Sequence, residues 1–278
     1  MGLGCNAAGV TGCRIIDSPR ERMIAVLTNS FLPCNGRFPT LLVLLAAFFG
    51  AGATAGGGAL SALLLTAAVL VGVLATLGAS WLLSKTVLKG APSSFTLELP
   101  PFRKPQIGRV IVRSLLDRTL FVLGRAAAVA APAGLVIYLL ANLWAGERTL
   151  LMHVTNFLDP FARLFGLDGV LLTSFVLGLP ANEIVLPIAL MAYASGGTMA
   201  GGMGIAGMRA LLLQNGWTVG TCVCTLVFLL LHWPCSTTLW TVRKETGSTK
   251  WMLAAAALPT AAGLIVCAAV NLLFRLLG

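Results

Sequence analysis

Long apolar stretches dominate the chain, and a few proline, asparagine and cysteine breaks divide them. Thr40–Phe49 opens an apolar run that reaches Gly50-Ala51-Gly52, and Gly56-Gly57-Gly58 marks a turn. Ala59–Leu83 follows and is long enough to span a bilayer, since about 20 residues cross the hydrocarbon core. The two runs predict a transmembrane hairpin. Val122–Trp144 predicts a third span, and Leu253–Leu276 the last. Leu150–Leu167 carries Asp159-Pro160 and reads as an interfacial or short broken helix. Val170–Ala194 is apolar, but Pro180 and Pro187 bracket Asn182 and Glu183, so it reads as a discontinuous helix or a re-entrant hairpin. Which of the two it is decides the side on which the C-terminus lies.

Local signals set the opening. Asp17-Ser18-Pro19-Arg20-Glu21-Arg22 reads as a helix start, with Ser18 as N-cap, Pro19 at the first helical position and Glu21 three after the cap. That helix should stop before Pro33. Residues 85–118 read as an extramembrane connection carrying Lys85, Lys89, Arg103, Lys104, Arg109, Arg113 and Arg118. Its first part is kept extended by prolines. Ile107–Leu123 then has the period of an amphipathic, interface-lying helix. By the charge rule this loop and the Arg-rich opening are cytoplasmic. Residues 196–207 form a Gly/Met-rich linker.

Two breaks look alike. One reads Phe31-Leu32-Pro33-Cys34-Asn35-Gly36-Arg37, the other His232-Trp233-Pro234-Cys235-Ser236-Thr237-Thr238. Each is preceded by a second polar interruption, Gly4-Cys5-Asn6 in the first half and Pro180-Ala181-Asn182-Glu183 in the second. Paired interrupted apolar units are the sequence pointer to a transporter site built from internal repeats.

Composition fixes the class. Of 278 residues 58% are hydrophobic and only 10% charged, with mean hydropathy +0.92. Soluble domains carry about a quarter charged residues, so this is an all-α integral membrane protein, a polytopic helical bundle with broken or re-entrant helices. The 31 glycines and 13 prolines fit such a bundle, because neighbouring helices re-satisfy the freed backbone groups. The net charge of +10 is the positive-inside excess. Nucleic acid is not expected as a partner, because the cations sit at segment ends rather than on one aromatic-interleaved face. Residues 1–37 hold four arginines and several polar breaks, not a basic head and apolar core, so no cleavable signal peptide is expected.

The seven cysteines do not form a disulfide framework. Cys5, Cys34 and Cys235 sit at the breaks. Cys222, Cys224 and Cys267 lie in apolar runs, where a small buried hydrophobe is the ordinary reading. Glu183 is a carboxylate within an apolar run, which points to a substrate, ion or proton site; a structural partner for broken backbone is the alternative. Asn182 and the carbonyls freed by Pro180 and Pro187 would add neutral oxygens. The carbonyls of Leu32 and Trp233 would be turned from the helix ladder by the prolines that follow them. Thiol, imidazole and carboxylate together suit Fe²⁺ better than Ca²⁺ or Mg²⁺. His232 would share a helix face with Cys235 if the turn persisted, and a packed histidine is its equal alternative. No GxxxxGK[ST], HExxH, GxSxG or dinucleotide fingerprint occurs, so the chain reads as a transporter and not an enzyme.

The motifs Gly4-Cys5-Asn6, Asp17-Ser18-Pro19-Arg20-Glu21-Arg22, Pro33-Cys34-Asn35-Gly36-Arg37, Leu179-Pro180-Ala181-Asn182-Glu183 and His232-Trp233-Pro234-Cys235, in this order, resemble the bacterial ferrous iron transporter B family, FeoB. The resemblance implies the C-terminal membrane part of that family, with two Gate modules and without the GTPase domain. It divides the chain into residues 1–40 (the end of the first Gate module), 41–105 (a core hairpin and basic loop) and 106–278 (the second Gate module and a last helix). It implies Fe²⁺ as transported substrate with no permanently bound cofactor, and Cys5, Asn6, Cys34, Asn182, Glu183 and Cys235 as metal-pathway residues. It implies a multi-pass protein of the bacterial inner membrane. The implied partners are the lipid bilayer, a separate GTPase domain or FeoA-like small protein, and further copies of the chain. The family motif continues Gly-Cys-Asn-Val-Pro-Ala where this chain has Ala7-Ala8-Gly9, which leaves the geometry of the first break open. Two other readings stand beside it: a Gate-family carrier of another solute such as nucleosides, and a non-transporting membrane assembly protein.

Overall fold

The computed structural model describes residues 2–50, 56–90, 108, 112, 121–146, 148–194 and 204–277. The amphipathic helix expected over Ile107–Leu123, most of the basic loop and most of the Gly/Met linker lie outside them. The described residues are almost entirely helical. In chain order the helices are α1 (Asn6–Gly12), α2 (Pro19–Thr28), α3 (Phe38–Phe49), α4 (Gly56–Lys85), α5 (Phe121–Asn142), α6 (Leu150–Leu164), α7 (Gly169–Leu177), α8 (Val185–Tyr193), α9 (Ile205–Gln214), α10 (Val219–Leu231), α11 (Ser236–Thr246) and α12 (Thr249–Leu277). A two-residue ribbon, β1 (Trp144–Ala145) with β2 (Arg148–Thr149), links α5 to α6.

The local signals explain the boundaries. Ser18 Oγ accepts from the Glu21 amide and Pro19 occupies the first helical position of α2. Asn29–Phe31 tightens into a 3-10 turn, and Leu32 is extended before Pro33. Gly247, at φ 65°, closes α11 in a left-handed cap. Pro160 departs from expectation: α6 runs through it unbroken. Asp159 there receives Arg163 Nε at 2.6 Å on one oxygen and the Gly169 amide at 3.0 Å on the other, fastening α6 to α7.

Among the described residues, three stretches are long and apolar enough to cross a membrane: Gly58–Lys85, Val219–Thr246 and Thr249–Leu276. A fourth crossing is available if α6 and α7, bent by 108°, count as one broken span. The expected discontinuity in Val170–Ala194 is present: α7 stops at Leu177, and a short 3-10 turn at Asn182–Ile184 leads into α8. α3 packs on α4 as the expected hairpin. At 12 residues, however, it covers only about 18 Å, less than the hydrocarbon thickness, and it continues α2 across the first break.

Burial identifies the central element. Only 6% of the apolar window of Gly58–Lys85 is buried, against 50% for Val219–Thr246. Among the described residues, the interrupted span α10–α11 is therefore the core of the bundle, and most of the apolar residues of α4 are left unburied. The main core gathers Phe31, Leu41, Leu44, Phe175, Phe228 and Leu229 around it. A second cluster, with Val10, Leu27, Leu83 and Val242, lies where α1, α2, α4 and α11 meet.

Candidate functional site

The two Pro-Cys breaks are built alike. α2 and its 3-10 turn end at Phe31, and α3 resumes at Phe38. α10 ends at Leu231, and α11 resumes at Ser236. The second break falls at the middle of the 28-residue span Val219–Thr246. Each break is pinned by its companion loop through the residue after the cysteine. The Asn35 amide donates to Gly4 O at 3.0 Å, and the Ser236 amide donates to Leu179 O at 2.8 Å.

The companion loops repeat as well. Gly2-Leu3-Gly4-Cys5-Asn6 parallels Gly178-Leu179-Pro180-Ala181-Asn182. The residue before each asparagine has the same extended backbone, φ −148° ψ 122° at Cys5 and φ −151° ψ 116° at Ala181. Each asparagine is buried at the start of a helical segment. The first loop thus keeps the geometry of the second although it lacks a proline.

The halves meet between the first break and the second companion loop. Asn182 Nδ2 lies 4.0 Å from Cys34 Sγ. A Cβ placed on Gly36 would stand 3.9 Å from Cys34 Sγ, 3.9 Å from Glu183 N and 4.0 Å from Glu183 Oε2. These are ordinary van der Waals distances, and they place the Glu183 carboxylate beside the Cys34 loop. Cys235 Sγ lies 3.3 Å from Thr238 Oγ1. Cys34 and Cys235 share a neighbour, the fully buried Arg37, whose guanidinium interacts electrostatically with both.

Not every predicted position turns inward. Cys5 is exposed, because its extended N-cap backbone directs it away from α1 while Asn6 points in. Glu183 is also exposed, carried on the 3-10 turn at the open side of the break. Pro187 sits in the first turn of α8 and so releases no carbonyl. The Trp233 carbonyl does leave the helix ladder, but it accepts from Arg37. Among the described residues no three His, Cys, Asp or Glu side chains stand close enough together to hold a metal ion.

Sequence reasoning passed over Ser30, Gly36, Arg37 and Ser236. Their signal is polarity in a dry place. Among the described residues, the buried side-chain N and O atoms with no hydrogen-bond partner are both amide atoms of Asn6, Ser30 Oγ, Arg37 Nε, Asn182 Oδ1, Arg209 Nε, His232 Nε2, Trp233 Nε1 and Ser236 Oγ. All but Arg209 belong to the breaks or the loops beside them. Buried polar atoms left unpaired cost about 1–3 kcal/mol each, so their concentration marks where an entering polar species would find partners. His232 is held by its Nδ1, at 3.1 Å from Phe228 O and 2.9 Å from Leu229 O. Its ring is enclosed by Phe175, Phe228 and Trp233.

Residues 65–117 match the family described as "Ferrous iron transport protein B C terminus". A Staphylococcus aureus Fe(2+) transporter FeoB is 26% identical over 268 residues, covering 93% of this chain and 37% of the relative. A Leptospira interrogans Fe(2+) transporter FeoB is 23% identical over 274 residues, covering 90% and 38%. One from Salmonella typhimurium is 33% identical over 114 residues, covering 41% and 14%. The chain spans a little over a third of the length of the first two. No solved structure matches. Over about nine-tenths of its own length, the chain is similar to proteins of the ferrous iron transport protein B family.

Proposed function

We propose that this chain is the membrane permease part of a ferrous iron uptake transporter. The observation that carries the reading is the meeting of Cys34 with Asn182 and Glu183 beside an interrupted span whose polar atoms are buried and unpartnered. Thiols and neutral amides are the softer donor set that favours Fe²⁺ over Mg²⁺ or Ca²⁺. Without a closed cage of three strong ligands, an ion would be held weakly, and ions must leave a conducting site as readily as they enter. Asn6, Cys34, Asn182, Glu183 and Cys235 line the route. Cys5, at the outer edge of the first companion loop, serves as an entry ligand. The relatives are named Fe(2+) transporters.

Energy for uphill transport would come from a GTPase domain, in a bacterial inner membrane with the Arg-rich start of α2 and the Lys85 end of α4 in the cytoplasm. Further copies of the chain or a FeoA-like protein are additional partners. The division at residues 40 and 105 into Gate and core parts belongs to the same reading. A nucleoside is disfavoured as cargo, because the aromatic rings near the second break are already packed edge to face on one another.

The test is Fe²⁺ uptake under anoxic conditions, in cells lacking their own ferrous transporter, by the chain alone and with a separately expressed GTPase domain. Uptake dependent on the GTPase supports the reading. Correct membrane insertion with no uptake in either case overturns it in favour of an assembly role.

A further inference from the structure

Arg37 is fully buried. Its Nη1 donates to Leu230 O at 2.8 Å and Ser30 O at 3.3 Å, and its Nη2 donates to His232 O at 3.0 Å and Trp233 O at 3.2 Å. Ser30 lies in the 3-10 turn before the first break, Leu230 in the last turn of α10, and His232 and Trp233 at the start of the second break. These are the carbonyls that the Pro-interrupted helices cannot pair for themselves. One side chain has collected them from both halves of the bundle.

The arrangement exceeds what a helix cap requires. A buried arginine ordinarily meets a carboxylate, yet the ion pairs among the described residues are Arg14–Glu245 and Arg163–Asp159, and Arg37 belongs to neither. Its acceptors are all neutral carbonyls, arranged around a cation. Its own Nε has no partner, nor do Ser30 Oγ, His232 Nε2 and Ser236 Oγ close by in the chain. The positive charge also interacts with both Cys34 and Cys235. An ion arriving at those thiols therefore meets a like charge that is held in no ion pair with a carboxylate.

We propose that the carbonyls of Ser30, Leu230, His232 and Trp233 form a cation-binding cradle, and that Arg37 fills it as a tethered blocking cation. While the guanidinium is seated, the cradle is closed to a divalent ion and the thiols beside it bind one weakly. When the two breaks move apart, the fork loses its shared acceptors, and the carbonyls become available to the passing ion. Tight closure and ion selectivity then reside in one residue. The inference rests on the cation-transport reading above, with the blocking role as its addition.

The experiment uses vesicles reconstituted with the whole chain, with Mn²⁺ and Fe²⁺ as probes read by an entrapped quenchable dye, in the absence of GTPase and nucleotide. R37Q should leak divalent cations at least about tenfold faster than wild type, as expected from removing a like charge near the path. R37K, which keeps the charge but not the fork that holds four carbonyls, should leak less than R37Q and more than wild type. Methylguanidinium added to R37Q vesicles should suppress the leak by refilling the cradle.

A folded R37Q as tight as wild type, or a leak indifferent to methylguanidinium, overturns the proposal. R37M is the second neutral variant. If R37K folds while R37Q and R37M both fail to, the positive charge serves stability alone and the proposal also falls. Wild-type Fe²⁺ uptake with the GTPase, but no leak gain in R37Q, would sink this inference alone. A methylguanidinium-sensitive R37Q leak in a chain that never takes up Fe²⁺ would keep the cradle and sink the ferrous reading.

Discussion

The amide of Asn182 reaches the thiol of Cys34 at 4.0 Å across 148 residues of chain. The contact joins the loop before α8 to the break before α3, and Glu183 arrives with it beside Gly36. Cys34→Ser and Asn182→Ala should each lower GTPase-dependent Fe²⁺ uptake by about tenfold, the effect of losing roughly 1.4 kcal/mol of ion interaction at the limiting step. Because the two act on one site, the double variant should lose far less than the product of the single losses. Uptake by all three proteins at equal membrane abundance gives the comparison, and fully multiplicative losses would separate the residues.

Asn6 separates function from stability. Both of its amide atoms are buried and unpartnered, so a leucine of similar size removes a desolvation cost without breaking a hydrogen bond made by the side chain. Asn6→Leu should melt at the wild-type temperature or above, and take up Fe²⁺ about tenfold more slowly. A lowered melting temperature in detergent would mean that the amide is structural after all.

Gly72 on α4 approaches the first break so closely that a Cβ there would stand 3.0 Å from Phe31 O and 3.3 Å from Pro33 Cδ. Gly72→Val should cost about 1–3 kcal/mol through overpacking. Six residues on along the same helix, Gly78 has open space, and Gly78→Ala should be neutral or stabilising by about 0.5–1 kcal/mol. Thermal unfolding of the two variants in one detergent checks the contrast.

The α7–α8 turn is held from the far end. Tyr193 Oη donates to Asp168 and accepts from Trp217 Nε1 at 2.9 Å, while Asp168 caps α7 through the Leu171 amide at 2.7 Å. Tyr193→Phe leaves the Trp217 donor buried without its acceptor and should lower stability by about 1–3 kcal/mol. Limited proteolysis around residues 178–184 should quicken in the variant if the clamp positions the break, and stay unchanged if it does not.

Much of this was legible in the sequence because it is local. Ser18, Pro19 and Pro33 set both ends of α2 through capping and a missing N–H, and the paired Pro-Cys motifs marked the interrupted helices. The depth of Glu183 was not legible. An apolar neighbourhood in sequence says that a segment is buried, but not which way a 3-10 turn aims one of its residues. Pro160 misled for the opposite reason, since Asp159 and α7 supply the contacts that let α6 continue. Arg37 looked like one more loop cation, because its four acceptors lie in two segments about 200 residues apart and no window contains them both.

The bidentate pair of Arg14 with Glu245, at 2.7 and 2.6 Å, closes a loop of 231 residues, and the fork of Arg37 reaches 193 to 196 residues ahead. During synthesis Arg37 therefore cannot reach its acceptors Leu230, His232 and Trp233 until α10 and the break after it have been made. Such long-range closure makes maturation slow.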